Sequence, residues 1–542
     1  MNRDALLDRI RNRTTPWDLI VIGGGATGVG VAMDAATRNL DVLLLEQSDF
    51  GKGTSSRSTK LVHGGVRYLR QGNITLVRDA LHERSLLRKN APHLVHDLPF
   101  LIPCRNLWQR FFYGVGLKLY DLLAWSDTFG KARNVSAKES LRQIPALQRG
   151  IVSGGVIYHD GQFDDTRLLI NMVQTAHEHG GCLLNYVAVD GLLHDPTHRI
   201  DRVRAIDQET GETLEIRSKA IVNAAGPFCD AVRQMDDPAC KPMLAASQGA
   251  HLVLPRKFFS GDTAMMVPKT PDGRVLFIIP WHDHAIVGTT DTPIDEVTLE
   301  PVAQQSEINF LLELSAAYLE QPPTAADVLS VFTGIRPLVK GDKSSRTASL
   351  SRDHVIRVSG SGLTTITGGK WTTVRKMAED CLDRVIKDAN LDAGPCATKT
   401  LPIHGHAGSP SDHTVPRSFY GSDLAAMEKL VAASPELAKP LHPSLSIRAV
   451  DVVWAVRHEM ARTVEDVLAR RTRCLFLDTK ATQEISGEAA RLMAEELRYE
   501  QPWIQDQLSL LQSTLSHFQV NPSIKAAPTR STSPVSRPTE LP

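Results

Sequence analysis

Gly23, Gly24, Gly25, Ala26, Thr27 and Gly28 spell G-x-G-x-x-G directly after the apolar run Trp17–Ile22. Between a strand and a helix, that spacing holds a pyrophosphate. The first glycine makes the turn, the second lets the backbone approach the anion, and the third lets helix pack on strand. The helix N-terminus adds N–H groups and a partial positive charge. Glu46 follows 18 residues after Gly28, at the end of the next apolar run. There a carboxylate accepts a hydrogen bond from a ribose 2′-OH and repels a 2′-phosphate, which disfavours NADP. The chain then enters a hydroxyl-rich loop (Thr54, Ser55, Ser56, Ser58, Lys60, Leu61, His63, Gly64, Gly65) instead of further βα units. A second strand-to-turn comes at Ala225-Gly226, and a third glycine turn at Gly369, Lys370, Trp371 and Thr372. Three dispersed loops suit the long FAD better than NAD, and Val187 in the strand-like Cys182–Val189 joins the expected cofactor contacts.

These loops need a large frame. The chain has 542 residues with 61 Lys+Arg against 61 Asp+Glu, so it lacks the basic excess of a nucleic-acid binder. Its seven cysteines never fall as C-x-x-C, which predicts neither a disulfide frame nor a zinc finger. The pairs His177/His179, His282/His284 and His404/His406 lack nearby third and fourth ligands, so no metal is expected. The N-terminus has no apolar core of signal-peptide length, and no run of 18 apolar residues predicts a spanning helix.

The pattern predicts an α/β protein: a Rossmann-like FAD-binding domain, a mixed or antiparallel substrate cap and a helical C-terminal domain. Residues 1–16 read as a polar helix and 17–396 as the oxidoreductase domain. Flavin-binding segments fall at about 17–80, 150–235 and 350–390, and cap segments at about 81–149 and 236–349. Strands are expected at Gly155–Tyr158, Lys219–Asn223, His251–Leu254, Val275–Ile279 and Ala285–Gly288, and helices at Asp165–His179 and Thr372–Lys387. The C-terminal domain spans 397–520, with periodic segments at Leu424–Ala433, Ile447–Arg470 and Ser486–Leu497. A Pro/Ser/Thr-rich tail, 521–542, reads as disordered.

Five stretches together carry a family resemblance: GGGATGVGVAMDAATR, LLLEQSDFGKGTSSRSTKLVHGGVRYL, IPWHDHAIVGTTDT, GIRPLV and TGGKWTTVRKMAE. The chain resembles the FAD-dependent glycerol-3-phosphate dehydrogenases closely over residues 17–385 and more loosely beyond. The resemblance implies oxidation of sn-glycerol 3-phosphate to dihydroxyacetone phosphate by hydride transfer from C2 to flavin N5, with electrons passed to membrane quinone. It also implies a peripheral position on the cytoplasmic face of the inner membrane. Three rivals stand beside it: an oxidase or dehydrogenase of amino or 2-hydroxy acids, an oxidase of the same substrate that uses oxygen, and a non-catalytic flavin sensor. Whether the chain forms a homodimer stays open.

A phosphomonoester pocket needs cations, ideally arginines. The candidates are Arg67, Arg336, Arg352 and Lys370, with Tyr68 offering a hydroxyl. Arg67 and Arg336 sit in apolar, glycine- and proline-rich settings, where an unpaired guanidinium is costly to bury. The proton of the C2 hydroxyl needs an acceptor titrating near neutrality, and His63 and His251 are the two candidates. Arg336 is assigned stabilisation of the developing alkoxide, although the resemblance permits it a more active proton role. Finally, Asn106–Phe129 concentrates Trp108, Phe111, Phe112, Tyr113, Tyr120, Trp125 and Phe129 among Arg105, Arg110, Lys118, Lys131 and Arg133. That composition suits either a helix in a lipid headgroup layer or a core helix of the cap.

Overall fold

The computed structural model describes residues 1–66, 73–124, 129–270, 274–340, 354–408, 415 and 417–520. Two sheets organise them. The first runs His354–Val358, Thr364–Gly368, Thr213–Asn223, Trp17–Ile22, Val42–Leu45, Cys182–Leu184, parallel except at the first pair. Its central strands are apolar without alternation because both faces are buried, as in doubly wound sheets. Helices Ala26–Thr37, Asp165–Glu178 and Val374–Ala389 pack together beside it. A Cβ on Gly30 would lie 3.4 Å from Val374 and Ala378 side chains, so the glycine allows close helix contact. The expected N-terminal helix is Arg3–Arg11, capped by the Asn2 side chain, and it buries Leu6, Leu7 and Ile10.

The second sheet has ten strands and mixed orientation. Its alternate residues serve two different cores. Ile102, Val253, Ile279 and Ile286 pack with the C-terminal helices, while Leu101, Leu252, Ile278 and Val287 pack with Ile308, Leu311 and Leu314 of the helix Gln305–Ala316. Alternation here therefore marks two covered faces, one of which also reaches the cleft through Gly249, His251 and Phe277. Gly154–Phe163 and Leu61–Val62, read from sequence as flavin-segment pieces, are strands of this second sheet. The flavin-binding and cap segments thus interleave more finely than the sequence boundaries suggest.

Two expected elements divide. Cys182–Val189 is two strands, Cys182–Leu184 and Val187–His194, separated at Tyr186 with φ +56°. Ile447–Arg470 contains the helix Ala449–Glu459, which ends at Met460 in the left-handed region (φ +54°), and a π-helical turn at Asp466–Arg471. Helices Thr479–Leu497 and Gln501–His517 complete the C-terminal region. The tail 521–542 lies outside the described residues.

Candidate active site

A cleft of about 470 Å³ opens where strands Trp17–Ile22, Val42–Leu45, Thr213–Asn223 and Thr364–Gly368 end, and it continues to the second sheet. Ligands of open α/β sheets bind at such carboxyl ends. The nucleotide end is made largely of backbone. Gly23 N–H donates to Leu45 O and Ala224 N–H to Ile22 O, both at 2.9 Å, so three strands meet at one turn. Gly23 has φ +109°, and a Cβ there would stand 2.7 Å from Ala224 O. A Cβ on Gly28 would reach 1.9 Å from Gly23 O, so this glycine is a packing requirement.

Gly25 differs from both. Its φ is −79°, open to any residue, and an added Cβ would meet only Ser55 Oγ, at 3.1 Å. The space above it is therefore a cradle that a side chain would fill. Ser55 Oγ accepts the Ala26 N–H at 2.9 Å, the position that an anionic oxygen takes at a helix N-terminus. Glu46 accepts from Gly24 N–H (2.6 Å) and Ser48 N–H (2.9 Å), and burial raises its pKa. The donors, cradle and acid fit the pyrophosphate and ribose of FAD.

The other loops close on this turn. Trp371 Nε1 donates to Ser55 O at 2.9 Å, and Thr372 Oγ1 lies between His63 N (3.1 Å) and His63 O (3.3 Å). Gly226, with φ +55°, has open space where a Cβ would be. Of the expected cofactor contacts, Gly23, Gly25, Ala26, Thr27, Glu46, Thr54, Ser55, Ser58, Leu61, His63, Ala225, Gly226, Gly369, Lys370, Trp371 and Thr372 line the cleft.

Seven expected contacts lie outside the lining: Gly24 and Gly28 pack within the turn itself, and the other five are Lys60, Ser56, Gly64, Gly65 and Val187. Lys60 does not reach the cleft. It is fully buried, with Nζ 2.8 Å and 2.9 Å from the two Asp165 carboxylate oxygens and about 5 Å from the rings of Trp281, Phe332 and Phe476. Ser56 turns inward to Gly53 O. Gly64 gives its N–H to Tyr120 Oη at 2.9 Å, behind the lining, and Gly65 is also outside it. Val187 is buried in the sheet, while Val189, two residues along the same strand, lines the cleft.

At the substrate end, Arg336 lies on the strand Ser330–Val339, paired with Leu244–Pro255. Its guanidinium crosses the backbone of Gly249, where a Cβ would sit 2.3 Å from Nη2. Nη1 contacts Gln248 O (3.3 Å) and Asp291 Oδ1 (3.2 Å), while Nη2 contacts Thr289 Oγ1 (3.2 Å) and Thr290 O (2.9 Å). Asp291 also accepts from Ser247 Oγ. This carboxylate was not singled out from sequence. Its signal was an acid at the end of the glycine- and threonine-rich GTTDT.

His251 stacks on Phe332, with centroids 4.7 Å apart and planes at 10°, and Nε2 lies 2.9 Å from Thr59 Oγ1. Burial first, then the charges of Arg336 and Lys60, hold its pKa well below the ordinary histidine value. His63 lines the same cleft, its ring edge-on to Phe277 at 6.4 Å. Lys370 joins the lining from the third glycine turn. Arg67, Tyr68 and Arg352 lie outside the described residues.

Comparison with known proteins places this cleft in context. A family model described as FAD-dependent oxidoreductase matches residues 18–375, and one described as the C-terminal domain of alpha-glycerophosphate oxidase matches residues 396–502. The chain is 39% identical over 540 residues to the mitochondrial glycerol-3-phosphate dehydrogenase of Mus musculus, covering 94% of this chain and 74% of that protein. It is 40% identical over 548 residues to the mitochondrial enzyme of that name from Arabidopsis thaliana, covering 93% and 86%. Among solved structures, the Bacillus halodurans glycerol-3-phosphate dehydrogenase complexed with FAD aligns with a TM-score of 0.78 at 29% identity, over 97% of this chain and 99% of that one.

Proposed function

The chain belongs to the FAD-dependent oxidoreductases, in the family of glycerol-3-phosphate dehydrogenases, and from that premise we propose that it oxidises sn-glycerol 3-phosphate to dihydroxyacetone phosphate and passes the electrons to membrane quinone. The observation that carries the reading is the Arg336 guanidinium, held over Gly249 at the end of a cleft whose other end fits FAD. FAD supplies the two-electron acceptor for the substrate C2–H bond.

The remaining work falls to side chains of this chain. Asp291, Thr289 and two carbonyls fix Arg336 before substrate arrives, so its charge is aimed without reorganisation at the alkoxide and phosphate. His63 is assigned the C2 hydroxyl proton. His251 is a weak base, because burial and two nearby cations disfavour its protonated form, and its Nε2 already meets Thr59. Lys370 adds positive charge from the Gly369 turn.

Peripheral attachment to the cytoplasmic face of the inner membrane is part of the proposal. On the helix Leu107–Ala124, Leu107, Trp108, Phe111, Phe112, Val115, Leu119 and Leu122 are 43–70% exposed, while Gly114, Leu117, Tyr120 and Ala124 are buried. The inner face joins the cap core, while no described residue covers the outer face, which supports a membrane role for the outer face. Arg105, Lys118, Lys131 and Arg133 are exposed at its flanks. An apolar stripe with basic edges suits an anionic headgroup layer. No helix of the described residues is long and apolar enough to cross a membrane.

The test is reduction of a quinone-like dye with glycerol 3-phosphate, glycerol and 2-hydroxy acids as donors, with peroxide assayed in parallel. Turnover confined to glycerol 3-phosphate without peroxide supports the proposal. Preference for a 2-hydroxy acid, or stoichiometric peroxide, replaces it with one of the rivals.

A further inference from the structure

The segment Glu46–Ser55 covers the nucleotide end of the cleft, and Glu46, Gln47, Gly51, Lys52, Gly53, Thr54 and Ser55 line it. Two of its charged side chains, Asp49 and Lys52, are held by the C-terminal region. Asp49 is fully buried and takes two bonds from Arg471, Nη1 to Oδ2 at 2.6 Å and Nη2 to Oδ1 at 2.9 Å. It also accepts from Arg470 Nε. Arg470 and Arg471 are consecutive, and in a regular helix they would diverge by about 100°. Both lie in the π-helical turn Asp466–Arg471, and their long side chains nonetheless converge on one carboxylate. Arg470 is itself held by Glu465 and Asp466, each at 2.7 Å. Glu465 then reaches Lys52 Nζ at 2.9 Å, while Glu300 of the cap approaches the same ammonium at 3.5 Å.

A buried ion network of this kind adds little net stability relative to an apolar replacement, but it fixes geometry. Here the geometry fixed is that of a loop with glycines at 51 and 53, whose backbone is tied to the first sheet by Gly51 N–H to Gly24 O (3.0 Å) and Tyr186 N–H to Ser48 O (2.9 Å), while its charged residues Asp49 and Lys52 are anchored on the C-terminal side. We propose that the C-terminal helical region is the flavin-retention element of this protein: Glu465, Arg470 and Arg471 are positioning residues that hold Asp49 and Lys52, and so keep Glu46–Ser55 closed over the nucleotide half of FAD. The inference rests on FAD binding, and it stands or falls independently of which alcohol is oxidised.

The experiment uses the full chain, stripped of flavin and titrated with FAD. Glu465 is outside the cleft lining, so Glu465→Gln acts on FAD through Lys52 and Arg470; its third partner, Thr514 Oγ1 at 3.2 Å, lies within the C-terminal region. The expected result for Glu465→Gln and Arg471→Lys is a rise in the FAD dissociation constant of about tenfold, with faster amide exchange confined to 46–55 in the flavin-free protein. Asp451→Asn is the control. Its partners, Arg417 at 2.8 Å and the Arg448 N–H, lie within the C-terminal region. Wild-type FAD affinity in Glu465→Gln overturns the proposal, as does equal weakening by Asp451→Asn. If Arg471→Lys fails to fold, Glu465→Gln alone decides.

Discussion

The two ends of the cleft are built by different means. At the nucleotide end, most groups facing the ligand are backbone N–H donors and glycine surfaces; Glu46 is held by backbone N–H groups, and Lys52 is paired with Glu465 and Glu300. At the substrate end, side chains from distant strands converge, and one guanidinium, Arg336, projects over a glycine with its charge balanced by Asp291. A backbone site follows from local sequence, because a short motif dictates both fold and function. A side-chain site depends on register between strands far apart in the chain, such as Ser247 opposite Arg336.

The largest effect that separates these modes comes from the glycines. Gly28→Val places a side chain inside the distance to Gly23 O and is expected to yield no folded protein. Gly25→Val meets no backbone, so the variant is expected to fold with near-normal thermal stability and to lack flavin absorbance. A folded, flavin-replete Gly25→Val would remove the pyrophosphate assignment and with it the contrast.

At the other end, Arg336→Ala is expected to keep full flavin content and lose about 10²–10³ in kcat/KM. The loss should fall on kcat as well as KM, because the charge is asked to stabilise the alkoxide as well as bind phosphate. Flavin loss in this variant would mean that the two ends are not separable.

The nucleotide end was largely legible. G-x-G-x-x-G and Glu46 were read in place, since each depends on neighbours within 30 residues. The reading failed at Lys60, where a lysine among hydroxyls looked like a ligand contact. Its partner, Asp165, is 105 residues away, and no local pattern announces that pairing. Val187 was misplaced for a smaller reason: the break at Tyr186 separates two strands, and the lining residue is Val189. Arg336 and His251 were legible as residue types, but Asp291 and Thr59, which define what each can do, were not. The C-terminal helices were legible as helices. Their grip on Asp49 was not, because Arg470 and Arg471 lie 421 and 422 residues from it in the chain and no local pattern announces the pairing.

The two histidines sharpen the substrate end by pH. His63→Asn is expected to lower kcat by roughly 10²–10⁴, with the deficit shrinking as pH rises and hydroxide takes the proton. Burial and the nearby charges of Arg336 and Lys60 hold the His251 pKa well below the ordinary 6.5, so its imidazole is uncharged in the folded protein near neutrality. His251→Asn should therefore leave any inflection of kcat near neutrality in place. Its signature is in stability. The unfolded histidine binds a proton first, so the folded state loses stability as pH falls below about 6.5, until the depressed native pKa is reached. His251→Phe should remove part of that acid sensitivity in thermal melts. An inflection that disappears in His251→Asn and persists in His63→Asn would exchange their roles.

The smallest expected effect on catalysis belongs to the aromatic helix, which stands between the site and the proposed membrane. Its inner face is fixed: Tyr120 Oη donates to Asp160 at 2.8 Å and accepts the Gly64 N–H at 2.9 Å, while Arg84 holds Asp160 at 2.7 Å. Its outer face has little to lose in the folded chain, since Phe111, Phe112 and Leu119 are 61%, 52% and 43% exposed and the ring contacts of Phe111 and Phe112 are to Trp108 and Tyr113 of the same helix. Aspartates at those three positions should shift stability by no more than about 1 kcal/mol in total. Dye-linked kcat and KM should stay near wild type, because Tyr120 still holds the backbone next to His63. Flotation with anionic vesicles should be lost, since the substitutions remove the apolar contact and add charge that a negative surface repels. If the triple variant unfolds, the outer face packs against protein and is not a membrane surface. If it floats as before, attachment lies elsewhere. If it stays folded and leaves the vesicles but loses turnover with the soluble dye, the helix carries its outer contacts through to the His63 loop, and the substrate end does not act alone.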